Sequence, residues 1–259
     1  MDFKEDLQIL NPLPKNNSFN LLEAATPQPE DVFLVTKKSE IYERYQDARM
    51  FLRWTETETI KGWFKKTDSE EMNARLIGFK KKYCYELALL YYNAIIDIAW
   101  GACYACATIE KGKLLANSTS IMGANEAEEA LRHFERNPYE RKAIPSLSRQ
   151  YPAFSDLFDA FQSFMNKPST KTVRDSFQFI KHRGVPIYKE EGHIGIPGIK
   201  IHVNDKVIAT SSSDVRKKLS IGEQAQMLKD FDEKCLYPFI GDFITKLEEV
   251  VNPSPLAMI

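Results

Sequence analysis

The sequence predicts a mainly α protein, an up-and-down helical bundle with a β-hairpin inserted between the last long helices. Three observations carry that expectation. Two long segments, 38–66 and 69–109, repeat apolar residues at helical spacing. The connections between periodic segments are short, as in an up-and-down bundle. A single run near residues 199–210 alternates at period two. A chain of 259 residues is long enough to bury a substantial core. No internal repeat or flexible linker divides it, so one bundle domain is expected over 37–252, with the hairpin at about 198–211. An irregular arm (1–36) precedes it and a tail (253–259) follows.

The arm is irregular because Pro12, Pro14, Pro27 and Pro29 interrupt it. In the first long helix, Ile41, Tyr45, Ala48, Leu52 and Thr55 form one stripe, broadened by Phe51 and Trp54. Thr67-Asp-Ser-Glu70 reads as a capping box that starts the second. That helix runs to about Ile109, with bends expected at Gly78 and Gly101. Cys84, Leu87, Tyr91, Ala94 and Ile98 make its apolar face, but Ile95, Ile96 and Trp100 lie on other sides. A helix apolar on most sides belongs at the centre of a bundle.

Three polar residues in this helix, Glu86, Asn93 and Asp97, fall in one narrow stripe at about 100° per residue. Such a stripe is either a thin solvent-facing edge or a polar strip facing an internal cleft.

Residues 111–123 read as a loop, and Asn125-Glu-Ala-Glu128 caps a short helix to about Glu135. A helix over 152–166 presents Phe154, Leu157, Phe158, Phe161, Phe164 and Met165. Another, after Pro168 and ending at Gly184 and Pro186, sets Val173, Phe177 and Ile180 on its apolar face. Hairpin strands meet at Asn204-Asp205, with His202 near Val207. Ser220-Ile-Gly-Glu223 caps the final helix, which runs to about Val251 with a bend or break expected at Pro238.

The net charge of -1 provides no global attraction to nucleic acid or to a membrane surface. The most apolar run, 83–109, contains Glu86, Asn93 and Asp97 and is read as a buried helix, not a membrane span. Cys84, Cys103, Cys106 and Cys235 all lie in apolar helical contexts, and the N-terminus has no signal-peptide pattern. The expectation is a reduced, cytoplasmic protein.

Few motifs carry chemistry. Cys103-Tyr-Ala-Cys106 lies late in an apolar helix, away from the helix start where a redox thiol is activated, and reads as packing. Glu190-Glu-Gly-His193 is the one Glu-x-x-His match, but it sits in a Gly-containing loop, not on a bundle helix. No ligand set reaches metal-site quality, and no phosphate-binding, dinucleotide-binding or nucleophile-elbow motif is present, so no metal or cofactor is expected. His133, on a charged segment, and His193 and His202, flanking and within the hairpin, are each isolated.

Val173 to Pro186 is the densest grouping of chemical side chains. Arg174 and Asp175 precede Lys181, His182 and Arg183 in one helix, and the last three suit a helix end where cations are favoured. Arg174, then Asp175, then His182 resembles the HEPN superfamily of helical-bundle proteins. Its ribonuclease members carry an Arg, a polar residue and a His a few positions on. The match covers residues 174–184. Seven residues separate Arg174 from His182, where the family usually has four to six.

The resemblance implies action on RNA without a metal, in stress or defence. His182 would be general acid or base for attack of the 2′-hydroxyl on its neighbouring phosphate, and Arg174 would stabilise the added charge. Asp175 would orient one of them, and Lys181 and Arg183 would bind RNA. The family's two-protomer clefts imply a homodimer. Along an unbroken helix Arg174 and His182 stand about 12 Å and about 80° apart. Both reach one phosphate only if the helix end unwinds near Gly184 or two protomers share the site. Residues 174–218 hold nine Lys/Arg against five Asp/Glu, a local basic excess that suits a polyanion. Glu86, Asn93 and Asp97 are the cleft-facing candidates. The alternative is a non-catalytic scaffold or interaction module.

Overall fold

The computed structural model describes residues 29–115, 148–149, 152–184, 186–191, 199–203, 206–210 and 217–251. The protein is mainly α, with a small strand insertion between its late helices. The helices are α1 (Pro29–Trp54), α2 (Glu70–Leu115), α3 (Ser155–Asn166), α4 (Pro168–Arg183), α5 (Ile221–Phe231) and α6 (Tyr237–Val251). Strands β1 (Ile187–Tyr188), β2 (Ile199–Val203), β3 (Lys206–Thr210) and β4 (Lys218–Leu219) lie between α4 and α5. The arm expected through residue 36 gives way to helix at Pro29. Proline suits a first helical position, where its missing N–H has no bond to make. The short helix expected around 125–135 and the loop from 116 lie outside the described residues, and so does the tail. Gly112, expected in that loop, belongs to α2.

α1 and α2 form an antiparallel pair. Phe51 stacks on Tyr91 at 5.7 Å, and Arg44 lies 5.4 Å from the same ring. α1 ends at Trp54, not near residue 66, because the buried Lys80 ammonium gathers the chain beyond it. That ammonium donates to the Thr57 carbonyl and hydroxyl and to the Thr59 carbonyl. α2 starts at Glu70 with Ser69 as its cap: the Ser69 hydroxyl accepts from the Met72 N–H at 3.2 Å. Thr67, the expected cap, is held instead by reciprocal bonds with Asn73.

The α1 stripe is buried as its periodicity requires, from Ile41 through Thr55. Of the face expected on α2 only Cys84 is buried. Tyr85, Ala88, Leu89, Tyr92, Ile95, Ile96 and Ala99 are buried, whereas Leu87, Tyr91, Ala94 and Ile98 are half-buried. A helix apolar on nearly every side does not encode which side its neighbours cover; α1, α3 and α5 decide it. Aromatic rings knit those helices together. Trp100 meets Phe161 at 5.7 Å, Tyr92 meets Phe231 at 5.9 Å, and Phe164 stacks on Phe239 at 3.9 Å. Cys103 and Cys106 are buried in this core, where burial pushes both thiols up, Cys106 to about 12. Thiols so raised stay protonated and serve as packing.

No break occurs at Pro238. One π turn, Asp232–Leu236, precedes it, and the Tyr237 N–H reaches back to the Asp232 carbonyl. Pro238 has no N–H to complete the usual ladder, and widening the helix there absorbs the loss.

β2 and β3 pair antiparallel, with Ile201 opposite Ile208 and His202 opposite Val207. A second pairing has no counterpart in the sequence pattern. β1 and β4 run parallel, Ile187 with Lys218 and Tyr188 with Leu219. The insertion thereby returns to its starting point. Glu190 locks that closure: its carboxylate accepts from the Ser220 hydroxyl and from the Ile221 and Gly222 N–H groups at the start of α5. Burial alone would raise this carboxyl, but the backbone and hydroxyl bonds outweigh it and hold it below the ordinary range. Because the folded value is lowered, the stabilisation is full above the unfolded value and fades as pH falls through the folded one. Glu190→Gln is expected to cost about 1 kcal/mol at pH 7, as for loss of a helix cap. Thermal melts should show that difference closing below about pH 4.

Candidate nucleic-acid interface

α4 begins at Pro168 itself, another proline at a first helical position, and stays helical to Arg183. It stops at Gly184, whose φ of 102° is a conformation side chains other than glycine's resist. Val173 is fully buried, and Phe177 and Ile180 pack against the core. This docking lays α4 along the polar stripe of α2. Arg174 Nη1 donates to Asp97 Oδ1 at 2.8 Å and to Asn93 Oδ1 at 3.4 Å. One step further along, the Tyr188 hydroxyl donates to Glu86 Oε1 at 3.2 Å.

The three stripe residues therefore sit in different settings. Asn93 is buried, Glu86 is half-buried and Asp97 is exposed. Each is bonded to the segment that covers the stripe. Both Arg174 bonds leave from one nitrogen, so neither Asp97 nor Asn93 engages Nη2 or Nε.

Asp175, Lys181 and His182 are exposed. The Lys181 ammonium lies 6.0 Å from the Phe177 ring. The Arg183 side chain lies outside the described residues, as do His133 and His193. The helix does not unwind before Gly184. Arg174 and His182 of one copy thus remain about 12 Å apart along the axis and about 80° apart around it.

The β1–β4 pairing adds residues that no motif marked. The Ile187 N–H donates to the Lys217 carbonyl at 2.9 Å. The Lys217 ammonium then lies 5.3 Å from the ring of Phe179, on α4. Lys217 and Lys218 are exposed. Lys217 thus meets the half-buried Phe179 ring, while Lys181, over Phe177, and His182 stand exposed in the last turn of α4. The sequence signal was the basic excess over 174–218.

Two further features lie away from this end. A cavity of about 810 Å³ opens between the first turn of α4 and α5, lined by Ser169, Thr172, Gln226, Met227 and Cys235 among others. It contains none of the candidate catalytic, RNA-binding or cleft-facing residues. Deep in the bundle, Asp232 accepts from the Tyr45 hydroxyl at 2.5 Å and from the Tyr92 hydroxyl at 2.8 Å, with Arg49 Nε 3.4 Å away. Among the described residues, no three His, Cys, Asp or Glu side chains gather as a metal site. No described helix is long and apolar enough to cross a membrane. Compared with protein-family models, curated proteins and solved structures, the chain matches none.

Proposed function

We propose that this chain is a HEPN-like protein that binds RNA through the end of α4. The observation that carries the reading is the Lys217 ammonium over the Phe179 ring, with Lys181 and His182 exposed in the last turn of α4 and Lys218 exposed in β4. Exposed cations suit phosphates, and an aromatic ring among them suits a stacked base. Arg174 adds a guanidinium oriented by Asp97 and Asn93, with donors left for a phosphate oxygen.

Cleavage is the finer part of the proposal. His182 is the proton carrier and Arg174 the fixed cation, and their separation along α4 assigns them to one phosphate only when a second copy supplies one of the two. No metal enters the step. The 2′-oxygen bonds to phosphorus, the P–O5′ bond breaks, the 2′-hydroxyl proton leaves through a base and the 5′-oxygen gains one. Incubation with mixed RNA in EDTA tests it. Wild type is expected to yield 2′,3′-cyclic phosphate ends, and His182→Ala to lose cleavage at least 100-fold, about the usual scale of an acid–base group. Because His182 is exposed, its loss should leave the melting temperature unchanged. Cleavage by His182→Ala at the wild-type rate would remove His182 from the site.

A second reading, a non-catalytic interaction module, has its own support. Arg174 already serves as an ion-pair link between α4 and α2, and α2 exposes Met72, Tyr83 and Leu90.

A further inference from the structure

The cavity between the first turn of α4 and α5 has a volume of about 810 Å³, within the range of about 300–1,000 Å³ that small-ligand sites occupy. Lys234 and Cys235 of the π turn Asp232–Leu236 form one wall, and single π turns recur at functional sites. The base is apolar. The buried Phe231 ring is fixed there by Tyr92 at 5.9 Å and Phe164 at 6.1 Å. Half-buried Met227, one helical turn before it, packs against the core. Gly222 leaves space at the start of α5: a Cβ there would meet only the Ser220 hydroxyl, at 3.7 Å.

The donors in the lining are engaged within the protein. Lys234 donates to Asp230 Oδ1 at 2.7 Å, and the Gln226 side chain donates to the same carboxylate. The Thr172 hydroxyl donates to the Pro168 carbonyl at 3.0 Å, so toward a ligand it accepts. The Ser169 hydroxyl and the Cys235 thiol, 2.9 Å apart, share one hydrogen bond. Two carboxylates, Glu223 and Asp230, stand against one ammonium, Lys234, and the lining carries an excess of negative charge. Lys189, outside the lining, lies 3.5 Å from Glu223, but these side chains are 63% and 72% exposed, and water screens such a pair.

From the acidic rim and the apolar base we propose that this cavity binds a small primary amine carried on an aromatic body. The ammonium brings donors and a positive charge to a lining that offers Glu223, the Gln226 carbonyl and the Thr172 oxygen as acceptors. The ring lies on Met227 and Phe231, where a thioether and an aromatic side chain suit a flat apolar group. A carboxylate in the same place is repelled by Glu223 and Asp230, and an amine without a ring leaves the apolar base in water. For about nine non-hydrogen atoms in an open cavity the Kd is expected on the order of 1 mM. The proposal does not rest on the RNA reading, because Lys181, His182, Lys217 and Lys218 are not part of the lining.

The Met227 methyl group reports occupancy directly. In NMR spectra of the full chain with isotope-labelled methionine methyls, its signal is the one that Met227→Leu removes. The probes are phenethylamine, hydrocinnamate and ethylamine, each titrated to about 10 mM. Phenethylamine is expected to move the Met227 signal along a saturating curve, and the other two to bind more weakly by about fivefold or more. Glu223→Gln combined with Asp230→Asn should weaken phenethylamine by about fivefold or more, with unchanged circular dichroism because neither side chain is buried. Gly222→Leu, which fills the space at the start of α5, should weaken it as well. A Met227 signal that phenethylamine leaves in place overturns the site. Hydrocinnamate or ethylamine bound as tightly as phenethylamine overturns the ligand class, and so does a Glu223→Gln, Asp230→Asn variant that binds like wild type. RNA assays do not enter these outcomes.

Discussion

Asp232→Ala is expected to destabilise the protein by about 3–5 kcal/mol, the cost of leaving a buried charge without its partner. Three helices depend on this carboxylate. Tyr45 and Arg49 reach it from α1 and Tyr92 from α2, while Asp232 itself opens the π turn between α5 and α6. Arg49 also lies over the Tyr45 ring at 5.2 Å. The group is buried, and burial raises its carboxyl above the ordinary range, outweighing the two hydroxyl bonds and the Arg49 charge that pull it down. The same burial, with the nearby carboxylate, pushes both tyrosines upward, so each keeps its proton and donates. Removing the acceptor strands two hydroxyls and one guanidinium away from water. Asp232→Asn keeps an acceptor oxygen and should cost less, about 1–2 kcal/mol. Urea titrations of the two variants check the order. Equal, near-zero losses would mean the cluster adds nothing to the bundle.

How much of this was written in the sequence depends on whether a residue's fate is local. The stripe of α1 was legible because Ile41, Tyr45, Ala48 and Leu52 share one face and the opposite face is polar. The hairpin register followed from alternation around Asn204-Asp205. The core face of α2 was not legible, since nearly every side of that helix is apolar and the contrast that fixes a face is missing. Asp232 was equally hidden. It stands beside Glu233 and Lys234, which are exposed, and only three separate helices meeting at one point bury it. Glu86, Asn93 and Asp97 could be placed on one stripe by angle alone, but Tyr188 and Arg174 as their partners required the fold. Lys217 joined the end of α4 through a parallel pairing of two-residue strands, too short for any periodicity to announce.

Replacing Lys181, Lys217 and Lys218 together by Gln is expected to weaken RNA binding at least tenfold and to flatten its salt dependence. Each cation that meets a phosphate releases condensed counterions, so log K falls with log salt by about 0.7 per neutralised phosphate on a single strand. Without these three ammonium groups the slope should be lower by about 2. The side chains are exposed, so the variant should melt with wild type. The proposal that the end of α4 holds RNA is met most directly by one measurement, fluorescence anisotropy of a labelled single-stranded RNA titrated with wild type and with this triple variant between about 50 and about 200 mM salt. The expected result is a steep salt slope for wild type and a slope shallower by about 2 for the variant. Equal affinities and equal slopes, or no binding by wild type at the lowest salt, would contradict it.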